Sequence, residues 1–139
     1  VILKGANAVD LLSKKAGILI GHPRAGTIGA SLQAVIGRRV KLIIPVGVEK
    51  RISGSLDKVA EAVNSQNAKG PGLWPVPGEV FSEIDAINLL TGANAVISAA
   101  GGVCGAEGCV WFCVTGTDNQ IDTADKIIKQ VSSEKPFSE

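Results

Sequence analysis

The sequence predicts an α/β fold: a Rossmann-like, mainly parallel sheet with flanking helices over residues 1–70, followed by a ferredoxin-like α+β portion over residues 71–139. Three observations carry this expectation. Short continuous apolar runs such as "AGILIG" (16–21) alternate with stretches whose apolar residues recur at helical spacing, the order of a parallel sheet with helices between its strands. The 17 glycines fall at the ends of those runs, where tight joints belong. A polar stretch without periodicity, "NSQNAKGPG" (64–72), separates two halves of different rhythm. At 139 residues the chain is long enough for a real core, and with 45% apolar but only 4% aromatic residues that core is built from Val, Ile, Leu and Ala.

The elements follow in order. "VILK" (1–4) and "AGILIG" suit strands buried on both faces. Thr27 is placed to cap a helix that Gly37 ends, with Ile28, Leu32, Val35 and Ile36 on one stripe. "VKLIIPVGV" (40–48) is the next buried strand, and Ser55 caps a short helix with the stripe Leu56, Val59, Ala60 and Val63. In the second half "LWPVPGEV" (73–80) is an extended segment whose prolines restrict its pairing. Ser82 and Asp85 resemble a capping pair for a helix closed by Gly92. The strands "NAVISAA" (94–100) and "CVWFCVT" (109–115) flank the loop "GGVCGAEG" (101–108). Thr117 and Gln120 form a capping box for a last helix carrying Ile121, Ala124, Ile127, Ile128 and Val131. The order β-α-β-β-α is most of a ferredoxin-like unit, whose fourth strand is absent or supplied elsewhere.

Composition narrows the function classes. A net charge of +1 gives no global field for nucleic acid or an anionic membrane, and the cations Arg38, Arg39 and Lys41 complement a helix end. No apolar run approaches the roughly 18 residues of a membrane span, and no signal-peptide pattern opens the chain, so a cytoplasmic protein without nucleic-acid or membrane partners is expected. The chain has no Met and opens in a strand, so residues are expected to precede Val1. Cys104, Cys109 and Cys113 are an odd number within ten residues, which is no disulfide framework. Cys109 and Cys113 would stand roughly 13 Å apart along a strand, too far to share a zinc ion. They read as buried thiols, and Trp111 as a core residue; no metal and no cofactor is expected.

The chemistry concentrates in "GHPRAGTIG" (21–29), which follows a strand and holds the only histidine. One reading is an anion site: Gly26, Thr27 and Gly29 at a helix start, Arg24 beside it for a charge-assisted bond, and His22 as an acid or base. The other is a plain turn, capped by Thr27 and eased by glycine. The spacing G-x4-G-x2-G is neither the Walker pattern nor the dinucleotide fingerprint. Lys50, in the charged end of "PVGVEKR" (45–51), reaches the same rim if its strand lies beside "AGILIG". Glu107, the single carboxylate of "GGVCGAEG", is a second acid–base candidate. The expected function is binding of a small anionic metabolite, a sugar phosphate or nucleotide, between the two halves, with the reaction open. The alternative is a non-catalytic regulatory or assembly module that forms a homo-oligomer through open strand edges of its ferredoxin-like half.

"GANAVD" (5–10), the glycine turn, Gly26-Thr27 at the helix start and Glu49 with Lys50 after the next strand together resemble ribose-5-phosphate isomerase. Its wider superfamily includes glucosamine-6-phosphate deaminases and CoA transferases. The resemblance covers residues 1–52 and implies a Rossmann-like fold with an anion-binding loop; the isomerase also carries a ferredoxin-like lid. Where the isomerase pattern has carboxylates on either side of its Gly-Ala, this chain has Lys4 and Asn7, and the helix after the turn lacks the expected Glu. The groups that would shuttle a proton between adjacent carbons are thus missing, and isomerase activity is not carried over.

Overall fold

The structure, a computed structural model, describes residues 1–135 and is mixed α/β, with four α-helices and three sheets among those residues. The chain divides into two compact units, Val1–Ser82 and Glu83 onward. The first contains, in chain order, β1 (Ile2–Leu3), β2 (Ala8–Asp10), β3 (Lys15–Ile20), α1 (Gly26–Arg38), β4 (Leu42–Pro45), a 3₁₀ turn at Val48–Lys50, α2 (Leu56–Val63), β5 (Gly72–Val76) and β6 (Glu79–Phe81). The second contains α3 (Glu83–Thr91), β7 (Asn94–Ala100), β8 (Val110–Thr115) and α4 (Asp118–Ser132).

Of the three sheets, one is parallel. It has the order β1-β4-β6, with Ile2 opposite Leu42 and Ile44 opposite Val80. The strand expected beside them, β3, instead pairs antiparallel with β2 and β5. The run "AGILIG" misled because continuous apolar character reports burial on both faces, not strand direction. Here α1 covers one face of the antiparallel sheet: Val9, Ala16, Ile18 and Val76 pack with Ile28 and Leu32. That core continues into Leu42, Ile44 and Val80 of the parallel sheet, so one helix closes both sheets. On the opposite face Ala8 and Leu73 pack with Leu56 and Ala60 of α2. The approach is close at Gly17, where a Cβ would stand 3.0 Å from Leu73 Cδ1 and 3.1 Å from Leu56 Cδ1.

The segment 72–81, expected to open the second half, belongs to the sheets of the first unit. Strand β5 pairs with β3 from Ile20↔Gly72 to Ala16↔Val76, and β6 pairs with β4. Pro75 is tolerated because β5 lies at a sheet edge, where a missing N–H need not break a ladder. The second unit is therefore α-β-β-α, a hairpin flanked by two helices, rather than β-α-β-β-α. Its core is Ile87, Ala93 and Ala95 with Ile84, Phe112 and Val114. Since that core lies on one face of a two-stranded sheet, alternate residues of β8 face outward. Trp111 is 57% exposed, Cys113 and Cys104 are exposed, and Cys109 is half-buried, so the expected buried thiols and core tryptophan are not found. Cys109 Sγ and Trp111 Nε1 both donate to the Gly101 carbonyl at 2.9 Å, which fastens the base of the 101–108 loop.

Helix ends show where local signals sufficed. The Thr117–Gln120 capping box forms, and Gln120 also donates through Nε2 to the Gly92 carbonyl at 3.0 Å. Ser55 occupies the N-cap of α2 but makes no capping bond through its side chain. Thr27 is not the cap of α1, which starts at Gly26 with Ala25 as N-cap. Nor does Gly37 end that helix: it runs to Arg38, and Arg39 takes the left-handed conformation (φ 55°) while donating its N–H to the Ala34 carbonyl. Among the described residues no helix is long and apolar enough to cross a membrane.

Candidate functional site

After β3 the chain turns sharply. The Ala25 N–H donates to the His22 carbonyl at 2.9 Å, and the Arg24 N–H donates to His22 Nδ1 at 3.1 Å. Ala25 (φ 58°) and Gly26 (φ 55°) are both left-handed, a conformation that costs a residue with a Cβ about 1–2 kcal/mol. This strained pair aims the start of α1. No side chain caps that start, and its first turn holds no acidic residue, so its leading N–H groups have no side-chain acceptor among the described residues. Gly29 sits one turn in, where a Cβ would fall 2.8 Å from the Arg24 carbonyl oxygen; only glycine lets the turn fold back this closely.

Two adjoining clefts flank this helix start. The larger, about 520 Å³, is bounded by His22, Arg24, the α1 residues Gly26, Gly29, Ala30 and Gln33, and Trp74 of β5. The smaller, about 270 Å³, lies against the end of β3 and is bounded by Lys4, Asn7, His22, Gly26 and Thr27 among others. His22 and Gly26 belong to both. The Lys4 ammonium donates to the Gly5 carbonyl at 3.3 Å, and Asn7 Oδ1 accepts from the Leu19 N–H at 3.0 Å.

The structure thus brings His22, Arg24, Gly26, Thr27 and Gly29 together around one helix start. It also adds Lys4, Asn7, Gln33 and Trp74. Gln33 was legible in principle, since Gly26, Gly29, Ala30 and Gln33 stand at i, i+3, i+4 and i+7 on one face. Trp74 was not, because only the β3–β5 pairing places it there. Two further expectations rested on neighbours that the topology does not supply. His22 follows a strand of the antiparallel sheet, so it does not stand at the carboxyl edge of a parallel one. The strand before Lys50 pairs with β1 and β6, not with β3. Lys50 sits on the 3₁₀ turn 3.7 Å from Glu49, and it lines neither cleft. Glu107 is exposed on the 101–108 loop of the second unit.

Asp10, the last residue of "GANAVD", is buried and fully engaged. Its Oδ1 accepts from the N–H groups of Leu12 and Ser13 at 3.1 Å, and its Oδ2 from the Leu56 N–H at 3.4 Å. The Ser13 hydroxyl, followed by these backbone donors, holds the carboxyl below the usual carboxylate range, against the opposing effect of burial. This carboxylate accepts from the first N–H of α2, a helix start that the Ser55 side chain does not cap. Its work is structural; His22 is the imidazole that lines both clefts.

Among the described residues no group of three His, Cys, Asp or Glu side chains is placed to hold a metal ion. Comparison of the chain with protein-family models, with curated proteins and with solved structures finds no match.

Proposed function

We propose that the chain binds a small anionic metabolite, a sugar phosphate or a nucleotide, at the start of α1. The observation that carries this reading is the uncapped, acid-free N-terminus of a 13-residue helix opening beside Arg24, whose guanidinium has no hydrogen bond or ion pair among the described residues. Such an end offers several N–H donors and the positive pole of the helix dipole to one anion. Lys4, His22 and Asn7 around the adjoining cleft add a cation and polar groups of the right reach. The likeness of "GANAVD" and its glycine turn to the sugar-phosphate isomerase superfamily supports the same reading. Lys4 and Asn7 in place of its carboxylates favour binding, or chemistry led by His22, over isomerisation.

Phosphate and phosphorylated sugars are expected to raise the melting temperature of the protein in a concentration-dependent way; saturation near 100 times Kd corresponds to about 2.7 kcal/mol. Arg24→Ala should weaken that binding about tenfold, the scale of one charge-assisted hydrogen bond. The result that sinks the reading is an unchanged melting temperature with every anion, or an undiminished shift in Arg24→Ala.

A further inference from the structure

We propose that the larger cleft takes a nucleotide, with its phosphate at the α1 start and its base on the indole of Trp74. This rests on the anion-binding reading above and names the ligand class. The cleft, rather than the helix end alone, carries the inference, because its lining mixes two chemistries. The start of α1 contributes N–H donors beside His22 and Arg24. Gln33, seven residues further along the helix, and Trp74 of β5 line the same cleft.

Trp74 is half-buried: part of its ring packs on the core of the first unit, which holds it still, and part borders the cleft. A fixed indole face is a stacking platform for a planar ring. The Gln33 amide is exposed and makes no side-chain hydrogen bond among the described residues, so it can offer a donor and an acceptor to the edge of such a ring. Between Gly26 and Gln33 the helix presents Gly29 and Ala30 to the cleft, small residues that leave its surface flat. From Gly26 to Gln33 is seven residues, roughly 10 Å at 1.5 Å rise per residue, a span that suits phosphate, ribose and base in line. A sugar phosphate would occupy the anion end alone and leave Trp74 and Gln33 uncontacted.

The test uses the full chain carrying Trp111→Phe, a substitution in the second unit that leaves Trp74 as the sole tryptophan. Inorganic phosphate, ribose 5-phosphate and AMP are titrated, with affinity and Trp74 fluorescence both measured. The expected result is that AMP binds at least about tenfold more tightly than ribose 5-phosphate, the gain of one stacked base, and that AMP alone quenches Trp74. Trp74→Leu should reduce the AMP affinity to that of ribose 5-phosphate while leaving ribose 5-phosphate unaffected. Trp74→Phe, which keeps an aromatic face, should retain most of the preference. Equal affinity for AMP and ribose 5-phosphate, or AMP binding without quenching, overturns the nucleotide assignment and leaves the anion site standing. Absence of binding by all three probes overturns both.

Discussion

Leu56→Ala is expected to destabilise the first unit by about 3 kcal/mol, within the range of about 2–5 kcal/mol for emptying a fully buried leucine site. For a unit of this size that corresponds to a melting temperature lower by roughly 15 °C. Leu56 is fully buried and meets Ala8, Ala60 and Leu73 on the α2 side of the antiparallel sheet. Its Cδ1 also lies where a Cβ on Gly17 would crowd it, so the sheet cannot sink to fill the gap without moving β3. Urea unfolding should show a lower midpoint with an unchanged slope, since the denatured chain exposes nearly the same surface. A loss below about 1 kcal/mol would mean that the site collapses, contrary to the rigid packing described.

The second large effect is expected at Asp10. The carboxylate accepts on both oxygens, from Leu12 and Ser13 on one side and Leu56 on the other. An asparagine has one acceptor, so whichever way its amide turns, one of those sides faces a donor with a donor. Asp10→Asn should lower the melting temperature by about 5–10 °C, as the loss of a helix cap does in a small unit, and Asp10→Ala by more. The pH dependence has a definite sign. Because the folded-state pKa lies below the unfolded value of about 3.9, the folded protein binds fewer protons than the unfolded chain as pH falls through that window. The contribution of Asp10 is therefore complete above about pH 5, and is lost as pH drops from about 3.9 through the folded value. Wild type and Asp10→Asn should differ most at neutral pH and converge in acid. Parallel curves from pH 7 to pH 2 would show that the carboxylate charge is not what holds the start of α2.

What was legible in the sequence follows the range of each signal. The capping box of α4 needs only Thr117 and Gln120, three residues apart, and both signals held. The stripe Leu56, Val59, Ala60 and Val63 was likewise local: Leu56 and Ala60 are buried, and Val59 and Val63 pack half-buried against them. Strand direction is a different matter, because "AGILIG" would look the same parallel or antiparallel once helices cover both faces. The antiparallel partner β2 is three residues long and hidden inside "GANAVD", and β5 lies across the polar stretch that suggested a boundary. Those two pairings decide which residues border the clefts. They explain why His22, Arg24 and the glycines were found from the sequence while Trp74 was not. The cap of α1 failed for a local reason: Thr27 has the side chain for the task, but left-handed Ala25 starts the helix before it.

The reach of Asp10 also bears on the order of assembly. Helix α2 has eight residues, too few to persist alone in water, where isolated helices under about 12–15 residues are marginal. The acceptor for its first N–H lies 46 positions earlier, on a carboxylate that the short turn after β2 must first set in place. Loop closure over such a distance must be met before that contact contributes anything. The helix is thus expected to dock after the β2–β3 hairpin, on the native side of the folding barrier. Stopped-flow measurements on Leu56→Ala should then show faster unfolding with a nearly unchanged folding rate, whereas a slowed folding limb would place α2 in the nucleus. The residue that anchors α2 in the finished molecule is, on this account, what makes that helix a late arrival.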